Sequence, residues 1–190
     1  PFDGNRVINY RAALDLREVP TSAVIIGAGP IGMEFATLWS RYGSKITVVE
    51  MMPNVLPNED QDISVEAERQ FRRVGIEVRT AAKVEGISLE ENGVSATVVQ
   101  GEKKEVISAQ KVLMSIGFAP NSENIGLEGL GIKMTRGHVD IDGRMATSVP
   151  HIYAIGDVTG KLGLAHVASA QGMVAAEAIA GRATHALDYI

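Results

Sequence analysis

Glycines 27, 29 and 32 interrupt the apolar segment Val24-Ile25-Ile26-Gly27-Ala28-Gly29-Pro30-Ile31-Gly32-Met33-Glu34, and Glu50 follows eighteen residues after the last of them. Glycines at this spacing do their chemistry with backbone. Gly27 lets the chain turn sharply out of a strand, Gly29 lets backbone approach a pyrophosphate, and Gly32 lets the following helix pack closely on the sheet. The helix N-terminus offers unpaired N–H groups and the positive end of a dipole to phosphates, so Ala28, Pro30, Ile31 and Met33 need carry no charge. Glu50 closes the run Ile46-Thr47-Val48-Val49 and is placed to accept hydrogen bonds from ribose hydroxyls. The pattern predicts a dinucleotide site. It favours NAD over NADP, because a carboxylate repels a ribose 2′-phosphate and Met51, Met52 and Pro53 supply no cation. The competing readings are a strand-to-helix turn that binds nothing and a solvated acid at a strand end.

A second cluster lies near the C-terminus: Thr147, then Ala154-Ile155-Gly156-Asp157, then Gly163-Leu164-Ala165-His166 opening a helix. An acid at a strand end beside a helix N-terminus suits polyol hydroxyls and a partly anionic ring edge. A flavin presents both, in its ribitol chain and its N1/O2 edge. The alternative is an ordinary β-turn at Gly156-Asp157 followed by a helix that only packs. The sequence contains no cysteine, which excludes disulfides, thiolate metal sites and a cysteine nucleophile within these residues. His138, His151, His166 and His185 show no zinc-ligand spacing, so no metal site is expected, and no residue is assigned a catalytic role.

The elements that must hold these residues read as follows. Residues 1–20 form a lead-in with a short helix at 9–16. A buried parallel strand at 23–26 leads into a helix from Pro30 to Tyr42, capped by Gly43, and a second strand at 45–50. Asp60 or Asp62 caps a helix whose Ile63, Ala67, Phe71 and Val74 recur at helical spacing, and a third strand covers 76–80. Short strands at 83–89, 94–100 and 103–107, joined by turns at Asn92-Gly93 and Gly101, replace one crossover helix before a strand at 112–116. After a glycine-rich stretch and an Asp142-Gly143 turn come a strand at 152–155 and a helix at 165–180 ended by Gly181. The predicted class is α/β: a Rossmann-like parallel sheet with an antiparallel β insert, then part of a second α/β domain.

At 190 residues and 45% hydrophobic content the chain can bury a core as one or two domains. The net charge of −5 is spread over interspersed acids and bases, which argues against nucleic acid and against a polybasic membrane contact. No apolar run has the length of a bilayer span and no secretory signal is evident, so a cytoplasmic protein is expected. Pro1 in place of a methionine suggests a piece of a longer protein.

The order G-A-G-P-I-G-M-E, the acid at 50, S-I-G-F-A-P-N, T-S-V-P-H-I-Y-A-I-G-D and G-L-A-H resembles the FAD-dependent pyridine nucleotide-disulfide oxidoreductases. The nearest branch is the one that oxidises dihydrolipoamide. The resemblance runs over nearly the whole chain. It implies an NAD-binding domain at 1–117, the C-terminal part of a split FAD-binding domain at 118–182, and at 183–190 a linker to a dimerisation domain lying outside this sequence. It further implies that Gly27 to Glu34 bind the NAD pyrophosphate with Glu34 near the nicotinamide amide, although an acid in the first helical turn is equally a dipole partner. Glu50 would bind ribose, Val84 and Gly117 would line the adenine and nicotinamide ends, Asp157 would hold the FAD ribitol, and Gly163 to His166 would run along the flavin.

The same resemblance implies NAD(H) and FAD as cofactors, a homodimer, and a place in a 2-oxoacid dehydrogenase complex. Four features depart from it. The first FAD fingerprint with its C-x-x-x-x-C pair and the C-terminal His-Glu pair are absent. Phe118 stands where many members have arginine, and Pro30 stands where some carry a gating tyrosine. The implied reaction passes two electrons from dihydrolipoamide through a disulfide and flavin to NAD⁺. Mercuric, glutathione or transhydrogenase chemistry would keep the same cofactor residues, the acid at 50 lowering glutathione reduction. An isolated nucleotide-binding module without turnover, and a fold that binds nothing, are the remaining readings. The apolar segment at 152–155 and Val167, Val174 and Ile179 of the last helix are expected to lack their normal partners, and so to be mobile, to dock on the NAD-binding domain or to pair with a second copy, pairing being favoured.

Overall fold

A computed structural model describes residues 2–117 and 119–189, so the reading of Phe118 lies outside the described residues. The chain divides into two compact units, Pro1–Phe118 and Ala119–Ile190.

The first unit is built on five parallel strands: β1 (Val7–Ile8), β2 (Ser22–Ile26), β3 (Lys45–Val49), β4 (Glu77–Arg79) and, after an insert of β5 (Lys83–Glu90), β6 (Gly93–Gln100) and β7 (Lys103–Ala109), the strand β8 (Lys111–Met114). Their order is β1-β8-β2-β3-β4, and every pairing is parallel. Three helices connect them: α1 (Tyr10–Leu14), α2 (Pro30–Arg41) and α3 (Gln61–Arg73). The insert is a separate antiparallel sheet, β5-β6-β7, standing where a crossover helix would return the chain from β4 to β8.

Strand side chains alternate between faces, and that period decides the layers. Ile8, Ala23, Ile25, Ile46, Val48, Val78 and Leu113 form one core with Met33, Phe35, Ala36 and Trp39 of α2. Val7, Val24, Val49 and Val112 point the other way, against Val94, Ala96 and Val98 of the insert. The sheet is therefore covered on both sides, as its continuous apolar strands require.

Two expectations change here. The lead-in supplies a fifth strand, since Val7 and Ile8 pair with Val112 and Leu113 across more than a hundred residues of chain. In α3 the helical spacing overstates burial: Ala67 and Phe71 pack on the core, but Ile63 and Val74 are exposed, because the protected stripe runs through Ser64, Ala67, Glu68 and Phe71. Asp60 occupies the N-cap position of α3 without a side-chain hydrogen bond.

The second unit holds a one-turn helix α4 (Leu127–Leu130), a small antiparallel pair β9 (Met134–Thr135) and β10 (His138–Val139), a 3₁₀ turn at Gly156–Thr159, and α5 (Ala165–Ile179). The strand expected at 152–155 does not form. Its extended backbone finds one isolated antiparallel bridge, Ala146 with Tyr153, and Gly156 at φ +76° then turns the chain into the 3₁₀ turn. An apolar β-branched run favours extension, but a strand also needs a neighbour, and a single bridge is all this hairpin offers. Val174 is buried with Met145 and Ala175, beside Tyr153 and Leu187, whereas Ile179 is exposed. Part of the apolar face of α5 thus has partners inside its own unit. No helix among the described residues is long and apolar enough to cross a membrane.

Candidate functional site

In the five-stranded order β2 lies between β3, which the chain reaches next through α2, and β8, which it reaches only after β4 and the insert, so the strand order reverses between β2 and β8. Such a switch point opens a crevice in parallel sheets. A cleft of about 830 Å³ lies there, and Gly27, Gly29, Pro30, Ile31, Glu50, Val84 and Gly117 all border it. Residues far apart in sequence, from positions 26 to 117, are gathered by the strand order of the parallel sheet, the loop after β3 and the insert packed on the sheet.

The three glycines have different local reasons. Gly27 sits at φ +102°, and a Cβ there would stand 2.4 Å from the Ser115 carbonyl oxygen. A Cβ at Gly32 would meet the Gly27 carbonyl oxygen at 2.0 Å and Ser115 Oγ at 2.6 Å, because the first turn of α2 presses against the β2 turn. Gly29 is different: its φ is −71°, and a Cβ would find no heavy atom within 4 Å. Among the described residues nothing in the packing demands glycine at 29. It is the N-cap of α2, gives no side-chain cap, and borders the cleft, leaving the N–H groups of the first turn without side-chain partners.

Glu50 is 8% exposed and no solvated strand-end acid. Its Oε2 accepts from the Ala28 N–H at 2.7 Å and its Oε1 from the Met52 N–H at 2.7 Å. Ala28 in turn accepts from the Leu56 N–H at 2.8 Å, and Met52 accepts from the Ala81 N–H at 2.8 Å. One carboxylate therefore ties the glycine turn to the 51–58 loop while still facing the cleft, with oxygen lone pairs left to accept more.

Among the other sequence-predicted residues, Ala28 lies buried behind the cleft wall and Met33 points into the core, so both face the cleft, at most, through backbone. Glu34 is exposed on α2 and does not border the cleft. Asp157, Gly163, Leu164, Ala165 and His166 belong to the second unit, and all five are exposed. There Asp157 Oδ1 lies 3.7 Å from where a Gly163 Cβ would stand, so the 3₁₀ turn and the approach to α5 meet at the Asp157 carboxylate.

Three residues that matter locally are given no role by the sequence, although Ser115 opens the S-I-G-F-A-P-N motif. Ser115 Oγ donates to the carbonyls of Ile26 and Gly27, each at 3.0 Å, and locks the end of β8 to the glycine turn. Lys83, at the start of β5, adds a cation to the cleft wall that residues 51–53 do not supply. Gln171 of α5 is fully buried and accepts from the Gly156 N–H at 2.6 Å. Among the described residues no group of acids and histidines could hold a metal ion.

The family model described as pyridine nucleotide-disulphide oxidoreductase matches residues 1–172. Dihydrolipoyl dehydrogenase of Mycobacterium leprae is 51% identical over 185 residues, covering 96% of this chain and 40% of that protein. The Chlorobaculum tepidum enzyme of the same name is 42% identical over 186 residues, covering 97% of this chain and 40% of its own length. Among solved structures, LpdA from Mycobacterium tuberculosis superposes with a TM-score of 0.88 at 32% identity, over 98% of this chain and 40% of that one. The HOCl-induced flavoprotein disulfide reductase RclA from Escherichia coli superposes with a TM-score of 0.85 at 29% identity, over 98% and 42%. The chain thus spans about 40% of the length of the curated relatives it matches.

Proposed function

The chain belongs to the pyridine nucleotide-disulphide oxidoreductase family, and on that premise we propose that its first unit binds NAD(H) and that its second supplies part of an FAD site in a dihydrolipoyl dehydrogenase. The observation that carries the reading is Gly29. It is a glycine that the chain's own packing does not require, at a helix N-terminus bordering a large cleft, and close approach of a pyrophosphate gives it a reason.

In this reading the backbone of residues 27–33 holds the pyrophosphate, and Glu50 accepts from the adenosine ribose hydroxyls while its N–H partners keep it fixed. Val84 and Gly117 border the two ends of the dinucleotide. The apolar cleft wall at Ile26, Val49 and Met114 excludes water from the bound nucleotide. Asp157 holds ribitol hydroxyls, and residues 163–166 lie along the flavin edge. Bound flavin supplies the two-electron chemistry between dithiol and nicotinamide. The net reaction is dihydrolipoamide + NAD⁺ → lipoamide + NADH + H⁺, and this chain's part in it is placement of the reacting rings. The sequence has no cysteine, so the reading places the redox disulfide on residues beyond these 190. It also carries the expectation of a cytoplasmic homodimer serving a 2-oxoacid dehydrogenase complex.

The lack of cysteine favours a second reading, a nucleotide-binding module without turnover. Assay of the protein at its natural length decides between them. NADH formation that depends on dihydrolipoamide, with oxidised glutathione and mercuric ion inert, is the expected result. NAD(H) binding with no turnover on any of these would establish the second reading.

A further inference from the structure

Gln171 lies in the middle of α5 with its side chain wholly out of solvent. A buried primary amide is costly unless its donors and acceptor are met, and here they are. The Oε1 accepts from the Gly156 N–H at 2.6 Å. The Nε2 donates to the Tyr189 hydroxyl at 2.9 Å and faces Thr159 Oγ1 at 3.5 Å. The orientation of the amide has one solution, because a backbone N–H only donates and the atom facing Gly156 must be the oxygen.

The three partners are not scattered. Gly156 and Thr159 are the first and last residues of the 3₁₀ turn that carries Asp157, and Thr159 Oγ1 donates back to the Gly156 carbonyl at 2.7 Å. Tyr189 belongs to the C-terminal segment that follows α5 and rests its hydroxyl 4.0 Å from Met145 Sδ in the unit's small core. Gly156 opens the turn at φ +76° and Gly160 follows it at φ +65°, so the turn lies between two left-handed glycines, the residues whose own backbone restricts them least. Asp157 itself is exposed.

We propose that Gln171 is a positioning residue: its amide clamps the Gly156–Thr159 turn to α5 and to Tyr189, and so fixes where the Asp157 carboxylate is presented. The inference rests on the reading of Asp157 as a flavin ligand for its functional consequence, but the clamp itself stands on geometry. Glutamate at 171 keeps an acceptor for the Gly156 N–H. Leucine removes it and leaves that N–H without a partner. Phenylalanine at 189 removes only the tyrosine hydroxyl and leaves the Gly156 bond in place.

Amide hydrogen exchange in the chain tests the clamp. In the unsubstituted protein the Gly156 amide exchanges as slowly as the central amides of α5. Gln171→Leu speeds it by about tenfold or more, while Gln171→Glu and Tyr189→Phe keep it slow. A fast-exchanging Gly156 in the unsubstituted protein, or one unaffected by Gln171→Leu, overturns the clamp, and the first of these measurements needs no variant to fold. Flavin affinity and NADH affinity in the protein at its natural length test the consequence. Gln171→Leu weakens FAD by about tenfold with NADH unchanged, and Gln171→Glu restores it. Unchanged FAD affinity in a Gln171→Leu protein whose Gly156 amide has become labile overturns the positioning role. A protein that takes up no flavin in any form removes the reading of Asp157, while the exchange data still decide the clamp.

Discussion

Replacing Gly29 with alanine separates what the fold needs from what a ligand needs. The φ of −71° is ordinary for alanine, and the added methyl meets no heavy atom within 4 Å. Two small effects on stability oppose each other. Alanine restricts the unfolded chain, which stabilises by about 0.4–1 kcal/mol, and it is a poorer N-cap than glycine, which costs roughly as much. The net change in stability is therefore within about 1 kcal/mol. The methyl does project into the space beside the cleft, where a pyrophosphate would approach backbone. Forcing a methyl into an otherwise close contact costs about 1–3 kcal/mol, and at 1.4 kcal/mol per tenfold this is a loss of about 5- to 150-fold in NADH affinity. Urea titration and calorimetry with NADH on the same preparation read the two quantities. A Gly29→Ala protein that binds NADH as tightly as its parent would refute the assignment of this turn to the pyrophosphate. A large loss of stability would refute the claim that position 29 is structurally free.

Gly32→Ala should behave in the opposite way: its Cβ would stand 2.0 Å from a backbone oxygen, so α2 must shift and the first unit should lose at least about 1–3 kcal/mol, seen as a lower urea midpoint with or without ligand. Glu50→Ala strands the Ala28 and Met52 N–H groups and should cost about 2–5 kcal/mol, while weakening NADH more than NADPH; equal losses for the two nucleotides would take Glu50 out of the ribose site. Asp3 accepts from the N–H groups of Val7, Asn5 and Arg6, the Val7 bond chiefly holding its carboxyl down to about 2. Its folded value is depressed, so its contribution is present above the ordinary aspartate value of about 3.9 and is lost as pH falls through about 2; carboxyl NMR titration showing an ordinary Asp3 would contradict this.

The parts of the fold that were legible in the sequence are those whose signal is local. The glycine turn, the alternating strands of the insert and the helix at Pro30 each follow from spacing within about fifteen residues. Val7-Ile8 was not legible as a strand, because two residues become one only by pairing with β8, more than a hundred positions away. The segment at 152–155 failed in the opposite sense: its residues favour extension, but the described residues offer it a single bridge. The same division runs through the sites. The glycines and Glu50 announce themselves by type and interval, whereas Ser115, Lys83 and Gln171 are ordinary polar residues whose importance lies in what strand order and helix docking bring beside them. Glu50 stands between the two cases, since its position was readable but its burial and its two backbone donors were not.

The central claim is that the cleft at the end of β2 is a dinucleotide site. Titrating NADH into the isotopically labelled chain while following backbone amides tests it most directly. Saturable binding, with the largest shifts at Gly27, Gly29, Ile31, Glu50, Val84 and Gly117 and little change across the second unit, is the result this account predicts. No saturable change at millimolar NADH in well-folded protein, or shifts centred away from these residues, would contradict it.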